Sequence, residues 1–414
     1  MLLTPFLAYS QNYSDIKSRY EIYLNYKNLE KYVEIGPEKI VFYKYSGDKK
    51  EEDLILPKSS WPAAKQLVQF VQPENADKVF QKLRDLKWPA DAQKENITDR
   101  KKTSEKPLTG LKICIDPGHI AGNMDMAETE QKFIHFSKEI YTDLKTDSVD
   151  IAEGVLTFQT ATILKQMLQE KGAEVVLTRQ NNCTTFGITY DKWFKKNKKK
   201  TLDSLVSIDK ITSQKQKQLQ HMNSDHFFVE FFKDFELQHR ATVINNFRPD
   251  LTVIIHYNVN EKNVPWLKPS DKDFCMAFVP GCITTDNIQS TAGKLNLLRL
   301  LLTEHVNESE KISALLVEEL SKQLNIPVAK PEDATYLSEH CMLSPAEGVY
   351  SRNLALCRLV QSPLVYGECL YQDNNKECYE LIKNTENFYG VQTNKRVVQS
   401  AVSFYKAIMR YYSN

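Results

Sequence analysis

The chain has 414 residues, 42% of them apolar and 26% charged, so it can bury substantial cores and global disorder is excluded. Its 54 Lys+Arg against 53 Asp+Glu leave a net charge of +1, without the basic excess of a dedicated nucleic-acid binder. No run approaches the roughly 18–20 consecutive apolar residues that span a bilayer, and at roughly 100–200 residues per domain the length predicts two or three domains.

Residues 1–11, MLLTPFLAYSQ, are apolar and then small and polar. They read either as the end of a secretory signal, with Ala8 and Ser10 near the cleavage point, or, lacking a positively charged start, as a buried N-terminal segment. Residues 12–95 predict a small α+β unit of unknown role. Tyr32 to Tyr45 is rich in β-branched and aromatic residues around Gly36-Pro37, a hairpin pattern, and Trp61–Val71 and Pro73–Leu86 have helical spacing with Pro near each start. Residues 96–110 are polar and aperiodic and read as a linker.

From residue 111 to 414 strands alternate with helices. Leu111–Asp116, Ala173–Thr178, Leu251–Ile255 and Leu364–Gly367 are apolar strands; Glu153–Lys171 is a helix closed by Gly172, and residues 290–324 supply two more. The pattern predicts an α/β fold: a mainly parallel twisted sheet with helices on both faces, preceded by the small α+β domain. Two long charged insertions, 121–150 and 187–236, interrupt it, and loops of that length are usually functional or disordered. The run Lys195-Lys-Asn-Lys-Lys-Lys200 in the second is expected to be a solvated surface turn. The eight cysteines are scattered without a CxxC pair, which removes zinc-finger and thioredoxin-type readings and leaves the redox state open.

Four polar residues stand where such a sheet builds its sites. His119 follows the Asp116-Pro117-Gly118 turn after a strand, and His256 ends the apolar run Leu251–Ile255. Glu153 opens a helix, and Glu368 closes the last strand in Tyr366-Gly367-Glu368. Each alone reads more readily as structural: a satisfied histidine, a first-turn Glu favoured by the helix dipole, a strand-end carboxylate in a salt bridge. Together they match a catalytic metal site, in which two imidazoles and a carboxylate ligate and a further carboxylate moves a proton. There is no nucleophile elbow and no Gly-rich phosphate loop.

In order along the chain, Ile113–His119, Glu153-Gly154, Val175–Arg179, Arg240…Asn245, Pro249–Asn258 and Pro363–Glu368 resemble the zinc-dependent N-acetylmuramoyl-L-alanine amidases that trim bacterial peptidoglycan. The resemblance spans about residues 111–412 outside the two insertions. It implies Zn2+ held by His119, Glu153 and His256, catalysis by Glu368, peptidoglycan as substrate and an exported, periplasmic or cell-envelope location. Departures are Ile120-Ala121 after the first zinc His, Ile255 and Tyr257 around the second, and longer gaps between ligands. Asp116 and Asn258 are expected in turns or behind the ligands, and Arg179 and Arg240 in structural ion pairs. Insertion 121–150 either shapes the substrate groove or gates the site by placing an acid on the metal, with a regulatory protein acting on it. The alternatives are a non-catalytic peptidoglycan-binding or regulatory protein on the same scaffold, or another zinc peptidase of the cell wall.

Overall fold

The computed structural model describes residues 12–46, 49–86, 106–262 and 267–413. The expectations for residues 1–11, and for 96–105 of the linker, lie outside these residues. Near the amino end, β1 (Val33–Ile35), β2 (Lys39–Ser46) and β3 (Lys49–Pro57) form an antiparallel sheet. The turn at Gly36-Pro37 closes the β1–β2 hairpin as its residues predict, with the Gly36 N–H donating to the Lys39 carbonyl at 2.9 Å. Strand β3 has no counterpart in the sequence reading, because its charged first half is exposed on a sheet edge and only Leu54 and Leu56 turn inward. Helices Trp61–Val68 and Ala76–Arg84 come next, where helical spacing places them. Buried Arg19 donates twice to the Leu301 carbonyl, at 2.9 and 3.1 Å, and the Gln361 amide pairs with both backbone groups of Val71 at 3.0 and 2.7 Å. These contacts fasten the amino-terminal unit onto the larger α/β unit.

In chain order, β4 (Lys112–Pro117) enters the main sheet, β5 (Phe133–Ser137) and β6 (Ser148–Ala152) form a separate hairpin, and β7 (Glu174–Leu177) returns to the sheet. Strands β8 (Leu251–Asn258), β9 (Met276–Pro280), β10 (Cys341–Leu343), β11 (Val349–Arg352) and β12 (Leu364–Tyr371) complete it, and β13 (Glu386–Phe388) with β14 (Val391–Thr393) makes a last hairpin. The seven strands lie in the order β10-β11-β9-β12-β8-β4-β7. Strands β7, β4, β8 and β12 are parallel, while β9 runs antiparallel to β12 and β10 antiparallel to β11.

The sheet is covered on both faces, as the near-continuous apolar strands require. Ile113, Ile115, Val253, Ile255 and Val365 pack with the layer of helices Glu153–Glu170, His305–Leu324 and Lys395–Ser413. Cys114, Ile254 and Leu364 meet helices Lys233–Phe247 and Ala355–Leu359 on the other side. Parallel register sets Pro117 beside Ile255 and Glu368 beside His256, so the ends of β4, β8 and β12 reach one edge together.

Insertion 121–150 is a short helix, Met124–Glu130, followed by the β5–β6 hairpin. Insertion 187–236 is helical, with Tyr190–Lys196, Lys198–Ser207 and Ser213–Gln220 wrapped on buried Trp193, Phe227 and Phe232. The lysine run is therefore not a solvated turn. Two helices meet at Asn197, and Lys198 is buried, its Nζ donating to the Gln220 and Met222 carbonyls at 3.2 and 3.0 Å. The same ammonium lies over the faces of Phe194 and Phe227, 4.4 and 4.6 Å from the ring centres, a cation–π use of lysine that a charge run conceals. All eight cysteines are free thiols in this structure, seven of them buried.

Candidate metal centre and active site

The His119 turn is built by close approach. His119 takes a left-handed φ of +58°, unusual for a side chain with a Cβ and tolerated only where packing fixes it. A Cβ on Gly118 would lie 2.4 Å from Cε1 of His256, so only glycine lets the second imidazole pack against the first turn. A Cβ on Gly154 would lie 2.4 Å from the Ala121 carbonyl oxygen, so glycine there also lets the chain after His119 fold onto the start of the Glu153 helix.

These approaches bring His119, Glu153 and His256 together. Nε2 of His119 is 3.2 Å from one Glu153 oxygen, and Nδ1 of His256 is 3.0 Å from the other. The second oxygen also accepts the Tyr257 N–H at 3.1 Å. The two imidazoles meet edge to face at 4.9 Å, and Tyr366 stacks flat on His256 at 4.7 Å. The Tyr257 ring, large where the resembling family has a small residue, is buried with its hydroxyl 2.7 Å from that of Thr160. Glu368, beside His256 across the strand pair, is buried to 8% exposure.

Buried cations hold the frame. Arg179 donates Nε to the Pro117 carbonyl and Nη2 to those of Gly118 and Gly154, at 3.1, 3.0 and 2.9 Å, tying the His119 turn to the Glu153 helix. Arg240 pairs with Asp116 at 3.2 Å and Glu236 at 2.7 Å and donates to the His119 carbonyl at 2.9 Å. Asp116 also accepts the Thr178 hydroxyl. Both arginines are thus structural, Arg240 through ion pairs as expected and Arg179 through backbone carbonyls instead; Asp116 is structural too, and Asn258 donates to the Tyr336 hydroxyl at 2.7 Å. Glu130, from the first insertion, accepts the Ile120 and Ala121 N–H groups at 3.0 and 2.8 Å and lies 3.8 Å from Nδ1 of His119. Sequence alone does not single it out among the acids of that segment, because its partners are backbone groups folded back toward it.

The charges fit a cation. Burial works against a charged His119, yet Glu153 and Glu130 raise its pKa to about 9, so the local field favours positive charge on that spot. Burial likewise opposes ionisation of Glu153, but His119 and His256 hold it well below the usual carboxylate range. Burial first, then the Glu153 charge, pushes Glu368 up to about 8. Ligand atoms of His119, Glu153 and His256 all lie within 4.8 Å of one another, the only such group among the described residues. Donors on a tetrahedral ion with bonds of about 2.0–2.1 Å stand roughly 3.4 Å apart, a spacing the 3.2 and 3.0 Å contacts of Glu153 with the two imidazoles already approach. His135 is elsewhere, 2.6 Å from Asp150 in the β5–β6 hairpin, and His305 is half-buried at the start of helix His305–Leu324.

A cavity of about 170 Å³ opens beside the cluster, lined by His119, His256 and Tyr366, by Glu130 and Lys132 of the first insertion, and by Phe228 and Lys233 of the second. A His/Glu/His set converging at the sheet edge where β4 and β8 end, with Glu153 buried and a carboxylate on the adjoining strand, matches the donor set of a hydrolytic metal site in an α/β fold.

The N-acetylmuramoyl-L-alanine amidase family model matches residues 113–388, two thirds of the chain. The chain belongs to this family, whose reaction is hydrolysis of the amide joining N-acetylmuramic acid to L-alanine of the peptidoglycan stem peptide. No curated protein matches the chain in sequence. Similar solved structures include the CwlD amidase of Clostridioides difficile in complex with the GerS lipoprotein, 16% identical, covering 73% of this chain and 98% of its own, with a TM-score of 0.38. The amidase Ami1 of Mycobacterium abscessus is 13% identical over 73% of this chain and 99% of its own, at a TM-score of 0.39. The catalytic domain of CwlV from Bacillus (Paenibacillus) polymyxa var. colistinus is 12% identical over 73% and 98%, at 0.37.

Proposed function

We propose that His119, Glu153 and His256 hold one zinc ion and that Glu368 is the proton-transferring carboxylate of a peptidoglycan amidase. The observation that carries this reading is the convergence of those three donors within 4.8 Å, with Glu368 in register beside His256. A zinc ion held by these three residues would polarise the scissile carbonyl and supply positive charge favouring the ionised form of Glu368, whose pKa burial and the Glu153 charge push up to about 8. Glu368 takes a proton from the attacking water and delivers it to the amide nitrogen as the C–N bond breaks. The products are a carboxylate on the lactyl group of the sugar and a free amine on L-alanine. Arg179 and Arg240 keep the His119 turn in place throughout, by their bonds to the carbonyls of residues 117–119 and 154.

A substrate in the cell wall argues for an exported, periplasmic or envelope location, and among the described residues no helix is long and apolar enough to cross a membrane. We take residues 12–95 as an accessory unit and 111–414 as the catalytic one. The groove-shaping reading of insertion 121–150 is favoured over gating, since Glu130 is engaged by the backbone of residues 120–121. The test is incubation of the zinc-loaded protein with purified peptidoglycan. Free stem peptides with intact glycan are expected. Shortened peptides would mean a carboxypeptidase, and no soluble product a binding protein.

A further inference from the structure

The cleft beside the metal cluster is bordered by six charged residues other than histidine: Asp116, Glu130, Lys132, Lys233, Glu236 and Arg240. Four of them are already engaged. Asp116, Arg240 and Glu236 form one buried ion-paired chain, and both Glu130 oxygens accept backbone N–H groups. Lys132 and Lys233 remain. Both are exposed, and among the described residues neither amine has a hydrogen-bond or ion-pair partner, though the Lys132 charge reaches Glu368 and lowers its pKa. Of the charged side chains that line the cavity wall, the two left without a direct partner are therefore both cations.

The two lysines come from different insertions. Lys132 follows the short helix of the first and leads into β5, and its carbonyl accepts the N–H of Glu153, so its backbone is fixed to the ligand helix. Lys233 opens the helix that carries Arg240, so its backbone is equally anchored to the site. Two anchored cations on a cavity wall suit a ligand anion, since a charge-assisted bond to a carboxylate is shorter and stronger than a neutral one. Lysine suits an anion whose exact orientation varies, being a flexible point charge rather than a fixed fork.

We propose that Lys132 and Lys233 form a carboxylate-binding subsite that selects stem peptides bearing a free carboxylate close to the scissile amide. This rests on the amidase reading above and adds the substrate feature that this chain's insertions read. A peptide in which that carboxylate is amidated would lose both contacts and be the poorer substrate. Because the lysines are exposed, the preference should weaken as salt rises, the Debye length falling to about 3 Å at 1 M.

The test compares two muropeptides that differ only in whether the second stem residue carries a free carboxylate or its amide. The full-length, zinc-loaded protein is used. Turnover is followed for the wild type, and binding is measured by calorimetry with the Glu368→Gln protein, into which the lysine variants are also introduced. The wild type should favour the free acid by about three- to tenfold in KM, the scale of an exposed charge pair or two, with kcat nearly equal. Lys132→Met and Lys233→Met should each reduce that preference, the double variant should abolish it, and Lys→Arg at both sites should restore it. Zinc content should be unchanged in all of them. Equal KM values for the two muropeptides in the wild type, or a preference that survives in the double variant, would overturn the subsite. If neither muropeptide is cleaved but the calorimetric preference follows the lysines, the subsite stands and the amidase reading falls.

Discussion

Gly118→Ala is the sharpest test of how the centre is built. The new methyl would lie 2.4, 2.5 and 2.7 Å from Cε1, Nε2 and Nδ1 of His256. Carbon contacts are ordinarily about 3.5 Å or more, so the imidazole must retreat by about 1 Å. It has little room, because Tyr366 lies flat on its other side at 4.7 Å and His119 stands edge-on at 4.9 Å. Metal–ligand distances tolerate only about 0.2 Å, so a 1 Å shift removes His256 from the ligand set while leaving its chemistry intact. Zinc affinity should fall by at least the 10–100-fold typical of losing a supporting contact to a ligand. The overpacking itself should cost about 1–3 kcal/mol of stability, because Gly118 does not occupy the left-handed region and the strain is steric alone. Competition with a chromophoric chelator reads the affinity, and thermal melting of the metal-free protein reads the stability. A folded Gly118→Ala protein that binds zinc with wild-type affinity would refute the idea that this glycine exists to admit His256.

Glu368→Gln should keep zinc while turnover on peptidoglycan falls by about 10²–10⁴-fold, the range for loss of a general base; Glu153→Gln should instead lose metal, and the opposite pattern would reverse the two roles. Glu130→Ala should weaken zinc binding about tenfold by freeing the Ile120 and Ala121 N–H groups and the loop that carries His119, and unchanged chelator competition would reduce Glu130 to a surface acid. The pH dependence of stability has an identifiable contributor in His305. Burial, then Arg299 and Lys65, push its pKa down to about 3, so the fold holds it neutral. Its contribution is present above about 6.5 and is lost as pH falls toward 3, up to roughly 3–5 kcal/mol over that span. Urea midpoints of the wild type should therefore drop more steeply between pH 6.5 and 4 than those of His305→Gln, and parallel curves would exclude this histidine as the cause.

The sequence by itself determined the elements whose period or punctuation is local. The apolar runs of β4, β8 and β12 announce buried parallel strands, and Gly172 stops the ligand helix at the end of its apolar stripe. His119, Glu153, His256 and Glu368 were legible because each sits at the end of such an element, where an α/β sheet exposes polar groups. Strands β3, β9, β10 and β11 were not, since short or partly charged strands carry no distinctive period and depend on a neighbour to exist. Tertiary structure alone decided the rest. It buried Lys198 by giving its amine two carbonyls, and it turned Glu130 from one acid among many into the acceptor of the His119 loop. It also left Lys132 and Lys233 as cations on the cleft wall with no hydrogen-bond or ion-pair partner among the described residues. In each case the deciding partner is a backbone group or a residue far away in the chain. Such pairings depend on which surfaces the packed sheet brings together, and no local pattern of side chains encodes them.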